Sequence, residues 1–241
     1  MLKVLLAVFV AGVVGTMLGG VLGILLKKKN ISVGLLYGFA GGVMTAMVLS
    51  DLVVEAIEKS NVVFALLIGL AGYFTVWLVD ILVNKKASRT EILRVFSAKN
   101  DKLTAIIVIT SIAVHNLPEG MIIGASSVAG LSVAYVIMIA LHNIPEGMAI
   151  ALPTSLGGAK PLKVLLICFL SGLPTVVGGV ISYYLGGVSQ GFIAGSIAFS
   201  SGAMLYVSVN ELFRECYTGK RKDVYGLSVG ILTGLIIIFC I

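Results

Sequence analysis

The chain is 241 residues long, 59% hydrophobic and only 12% charged, with a mean hydropathy of +1.11 and a formal net charge of +6. A water-soluble domain of this length needs far more polar surface, so the composition excludes one and points to a polytopic membrane protein. The basic excess sits between apolar stretches, where it sets topology rather than binding nucleic acid, and three cysteines, two of them inside apolar stretches, make no disulfide framework.

Apolar stretches of about 17–25 residues, the length that crosses a hydrocarbon core, recur along the sequence. They are predicted to be helices, because the alternation of a membrane β-barrel is absent. The predicted architecture is all-α, a single integral membrane domain over 1–241 with eight spans at about 2–26, 32–57, 61–84, 103–127, 131–153, 161–186, 189–212 and 223–241. The first begins like a signal peptide, with Lys3 ahead of an apolar run, but the run continues to about Leu26 and ends in Lys27-Lys28-Lys29, which reads as a retained span. The second carries Asp51 and Glu55 near its outer end, and the third carries Asp80 near its inner end. The connection 85–102 is basic, lacks Pro, Gly and His, and is expected to be partly helical along the membrane surface.

Topology follows from charge. With the N-terminus outside, 15 of the 17 basic residues fall on inner connections, and only Lys3 and Lys59 are outside. The positive-inside rule therefore favours N-out, C-out and an even number of spans. Small residues recur at four-residue spacing, as Gly15/Gly19/Gly23, Gly34/Gly38/Gly42 and Gly226/Gly230/Gly234. Such stripes let helix backbones approach closely; they suit packing within the bundle and equally the face of a homodimer.

The fourth and fifth spans hold the same hexapeptide pattern, His115-Asn116-Leu117-Pro118-Glu119-Gly120 and His142-Asn143-Ile144-Pro145-Glu146-Gly147. These contain both histidines of the chain. Within each motif His and Glu are four apart and project from one helix face. Proline removes one backbone bond and should kink the helix, leaving a carbonyl free near the histidine. The motifs are offset by 142 − 115 = 27 residues, so antiparallel neighbours bring them face to face across a pseudo-two-fold. His115 lies roughly 18 Å into its span, near the midplane, where transporters with inverted repeats hold their substrate.

Ionisable groups at that depth are costly and mark function by default. Two imidazoles and two carboxylates suit Zn²⁺ above all, and also Fe²⁺, Mn²⁺, Cd²⁺, Co²⁺ or Ni²⁺. Such ligands bind metal deprotonated, so acid should weaken binding. The metal is read as bound substrate, with no prosthetic group. Three functions fit a His/Glu site: a divalent-metal carrier, an exporter with the same site, and an intramembrane zinc metallopeptidase. The last is disfavoured because His-Glu-x-x-His is absent, and an ATP-driven pump because no P-loop exists.

At these residues the chain resembles the bacterial and archaeal branch of the ZIP family of divalent-metal transporters. The likeness extends to Gly38-Phe39-Ala40-Gly41-Gly42-Val43-Met44, Ser171-Gly172-Leu173, Gly202-Ala203-Met204-Leu205-Tyr206 and Asn210-Glu211. It implies uptake of Zn²⁺ or related ions across the inner (cytoplasmic) membrane, by alternating access of a bundle containing spans one, four, five and six. It implies a primary site of His115, Glu119, His142 and Glu146, with Met44 as a thioether neighbour. Asn116 and Asn143 match part of a second metal position. The acidic residue that position expects after Ser-Gly-Leu is replaced by Pro174-Thr175, so one well-defined site is expected. Asp80 and Glu211 match an exit relay, although Lys85 and Lys86 offer Asp80 a plain salt bridge. Asp51 and Glu55 read either as an interfacial cap or as an entrance that concentrates cations.

Overall fold

A computed structural model describes residues 1–28, 32–86, 116–127, 133–156, 158–185, 189–218 and 223–240. His115 and the connection 87–102 lie outside these. Among the described residues all regular structure is helical. We label the helices in chain order. α1 comprises Leu2–Val8, a π-helical turn Phe9–Val14 and Gly15–Lys28. α2 comprises Val33–Met47, a π turn Val48–Leu52 and Val53–Lys59. α3 is Val62–Lys86, α4 is 116–126, α5 is Val133–Leu156 and α6 is Pro161–Tyr184. α7 runs through Gln190–Tyr206, a π turn Val207–Phe213 and Arg214–Thr218, and α8 is Val224–Cys240.

Six of these helices are long and apolar enough to cross a membrane: Leu2–Leu26, Gly34–Lys59, Val62–Leu82, Tyr135–Leu152, Pro161–Tyr184 and Gln190–Asn210. α8 is a shorter apolar helix of 17 residues. The chain is therefore a multi-pass membrane protein. α3 is buried over only 17% of its most apolar window, and Leu66, Leu67, Leu70, Phe74 and Leu78 project outward, as expected of a lipid-facing helix.

Backbone approach sorts the helices into neighbours. A Cβ on Gly19 of α1 would lie 2.0 Å from the Ile144 carbonyl oxygen of α5, and one on Gly120 of α4 would lie 1.8 Å from that of Thr175 in α6. Gly12 of α1 and Gly172 of α6 meet in the same way. α1, α4, α5 and α6 thus lock together through glycine contacts that admit no side chain. Gly230 of α8 packs on Phe39 of α2, and Gly202 of α7 on Gly69 of α3. The three glycine stripes are therefore used inside the chain, α1 against α5 and α2 against α8, and not as a dimer face.

α7 continues through its π turn to Thr218, so Cys216 is a buried helical residue. Its Sγ donates to the Asp223 carbonyl at 3.3 Å, and burial, with the Asp223 carboxylate adding to it, pushes the thiol pKa up. Tyr206 is 4% exposed and donates to Asp80 Oδ2 at 2.7 Å. α5 runs unbroken past Pro145 to Leu156, since a tightly packed helix tolerates a proline where neighbours supply polar partners.

Candidate metal-cargo site

The two motifs meet where α4 and α5 cross. His142 Nε2 lies 3.2 Å from Glu119 Oε2, and both residues are 1% exposed. Asn116 donates its Nδ2 to Glu146 Oε1 at 3.1 Å and to the Ser171 carbonyl of α6 at 2.8 Å. Asn143 donates its Nδ2 to the Ala11 carbonyl of α1 at 3.0 Å, within the π turn Phe9–Val14. A π turn displaces the regular hydrogen-bond ladder, which is why such turns recur at functional sites. Four helices thus converge on five motif residues.

Each asparagine commits its nitrogen to backbone and turns its oxygen inward. Asn116 Oδ1 and Asn143 Oδ1 are buried without hydrogen-bond partners, as are both carboxylate oxygens of Glu119, both ring nitrogens of His142 and Thr175 Oγ1. The 3.2 Å approach of His142 to Glu119 is an ion-pair distance without hydrogen-bond geometry. Buried polar atoms in native folds are nearly always partnered, so such a concentration marks a place for a ligand. The atoms are of cation-binding type, with imidazole nitrogen and oxygen and no thiolate.

The structure brings Glu119, His142, Glu146, Asn116 and Asn143 together, and sets Thr175 beside Gly12. Met44 is 1% exposed in the apolar core with Ile123 and Ile139, each within one turn of a motif residue. Among the described residues no three of His, Cys, Asp and Glu form a metal-holding group; His115, the remaining predicted ligand, lies outside them. Asp51 and Glu55 line a cavity of about 500 Å³ with Glu58, toward the C-terminal end of α2. Glu55 accepts from Tyr135 and pairs with Lys59 at 3.5 Å. The backbone of Glu211 lies in the π turn of α7 while its side chain is outside the described set; beside it Asn210 Nδ2 donates to Tyr73 at 2.8 Å. Sequence reasoning missed Tyr135, although it stands two turns before His142 on the same helix, and the carbonyls of Ala11 and Ser171, which carry no side-chain signal.

A multi-pass helical protein with a buried cation-type donor set fits a membrane carrier. Residues 84–241, more than half of the chain, match the family model described as ZIP zinc transporter. The chain belongs to this family, whose members are membrane transporters and not enzymes, which removes the peptidase alternative. It is 36% identical over 141 residues to the zinc transporter GufA of Myxococcus xanthus, spanning 56% of this chain and 55%, about half, of GufA. It is 32% identical over 213 residues to the zinc transporter ZupT of Enterobacter sp. (strain 638), spanning 82% of this chain and 80% of that one. To ZupT of Clostridium perfringens (strain 13 / Type A) it is 30% identical over 243 residues, spanning 86% and 84%.

Proposed function

We propose that this chain carries Zn²⁺ across the inner membrane into the cytoplasm by alternating access, with Fe²⁺, Mn²⁺ and Cd²⁺ as competing cargo. The observation that carries the reading is the gathering of unpartnered buried donors on Asn116, Glu119, His142, Asn143 and Thr175, with Glu146 hydrogen-bonded among them. In this reading the cargo site is His115, Glu119, His142 and Glu146, with Asn116 and Asn143 adjoining and Met44 as thioether neighbour. Eight spans with both termini outside follow from the charge distribution. The grouping of α1, α4, α5 and α6 supports a moving unit, because glycine contacts tie those helices to one another more closely than side-chain layers would. Relatives named as zinc transporters support zinc as the main cargo. The inward direction is what the family resemblance implies, and it separates this reading from an exporter.

A neutral Thr175 makes a second metal position weak. Two carboxylates balance one divalent ion, and a second would leave uncompensated charge at depth. Asp51 and Glu55 serve in this reading as the outer entrance, and Asp80 and Glu211 as the exit. Uptake of radiolabelled Zn²⁺ into proteoliposomes, with Fe²⁺, Mn²⁺ and Cd²⁺ as competitors, tests the function. Saturable uptake that Glu146→Ala abolishes is expected. Uptake that survives both His142→Ala and His115→Ala would show the site to be wrong.

A further inference from the structure

The cavity of about 500 Å³ lies between α2 and α5, with Ile237 and Ile238 of α8 at its side. Its wall is a ladder. On α2, Met47, Asp51 and Glu55 follow at four-residue intervals; on α5, Tyr135, Met138 and His142 follow at three and four. Each set therefore lies along one helix face. At the top rung the Tyr135 hydroxyl donates to Glu55. Below it, Asp51 has one carboxylate oxygen, Oδ2, buried without a partner. Met47 and Met138 line the same cavity yet are 0% and 7% exposed, so they form its floor. His142 is one turn deeper than Met138 and outside the cavity lining. A cation passing from Asp51 to His142 along this seam must cross the two thioethers.

We propose that Met47 and Met138 form a thioether gate between the acidic outer cavity and the buried His142–Glu119 pair, and that this gate favours soft divalent cations over hard ones. The inference rests on His142 as part of the cargo site. An ion that leaves Asp51 sheds water before it reaches His142. A thioether sulfur is a neutral, polarizable donor that offsets part of this loss for Cd²⁺ but little of it for Mn²⁺. Two leucines would seal the floor as well and offer no donor. Methionine is also unbranched, with three rotatable bonds, so it can swing aside for the ion and close behind it.

The test compares wild type, Met47→Leu, Met138→Leu and the double variant in proteoliposomes, with Cd²⁺ and Mn²⁺ as competitors of radiolabelled Zn²⁺ uptake. Methionine to leucine conserves volume, so the floor stays packed. In the double variant the Cd²⁺ concentration for half-inhibition should rise roughly tenfold while that of Mn²⁺ stays put, the change that loss of a favourable donor contact produces. A Cd²⁺/Mn²⁺ ratio within about twofold of wild type would mean that the methionines only fill the core, and the proposal would be overturned. Should the double variant fail to fold, each single variant carries the same readout. Wild-type uptake indifferent to Glu146→Ala would sink the carrier reading itself, a distinct outcome. The gate is then read by rapid mixing in detergent, where slower Cd²⁺ association in the leucine variants supports it and unchanged association refutes it.

Discussion

Asn116 and Asn143 occupy the same place in the two motifs and perform the same task. Each gives its amide nitrogen to the backbone of a neighbouring helix, Ser171 of α6 for one and Ala11 of α1 for the other, and leaves its oxygen to the interior. Asn116 also steadies Glu146. Asn116→Ala should lower folding stability by about 1–3 kcal/mol, the cost of losing buried hydrogen bonds, and should weaken uptake by releasing the Glu146 carboxylate. Thermal unfolding in detergent together with the uptake assay checks both; a variant unchanged in both would remove the asparagine from its positioning role. Thr175 poses the complementary question. Thr175→Glu adds an anion where Thr175 Oγ1 is now buried and unpartnered, and should raise the metal bound per chain. Elemental analysis of the dialysed variant reads this directly, and an unchanged stoichiometry would refute it. At this scale Glu119, His142 and Glu146 stood out in the sequence because ionisable groups at bilayer depth have few bland explanations. The orientation of the amides did not, because it is decided by carbonyls of distant helices that carry no residue signature.

At the scale of the element, helix positions follow from hydropathy, and six described helices are long and apolar enough to cross a membrane. The π turns at Phe9–Val14, Val48–Leu52 and Val207–Phe213 were invisible. No local pattern announces them, since an extra residue in a turn is tolerated only where tertiary contacts take up the displaced backbone groups. Each carries a polar feature: the Ala11 carbonyl, Asp51 and Asn210. The glycine stripes were legible as packing, but their partners were not. Gly120→Ala should destabilise the protein by about 1–3 kcal/mol or prevent folding, because its Cβ would strike the Thr175 carbonyl backbone at 1.8 Å. Gly69→Ala meets only the Ala198 carbonyl at 3.4 Å and should fold normally. Equal unfolding temperatures for these two variants would contradict the packing described.

For the whole molecule, the helices divide into α1, α4, α5 and α6, joined around the motifs, and the pairs α2 with α8 and α3 with α7. The Tyr135–Glu55 hydrogen bond ties the first set to α2 near its C-terminal end. A C-out topology places Cys240, the exposed cysteine near the end of α8, at the outer surface, while Cys168 and Cys216 are buried. A membrane-impermeant maleimide should therefore label intact cells at Cys240; labelling confined to inverted vesicles would reverse the assigned orientation.

The apolar stretches, the placing of the basic residues between them and the duplicated His-Asn-x-Pro-Glu-Gly motif are legible in the sequence alone, because each depends on how single residues partition between lipid and water. Which helices share glycine seams, which oxygen each asparagine presents, and how Asp51, Met47 and Met138 line up above His142 were decided only by the tertiary structure. Those are relations between residues far apart in the chain, and they arise from backbone approach and interhelical hydrogen bonds that hydropathy does not encode.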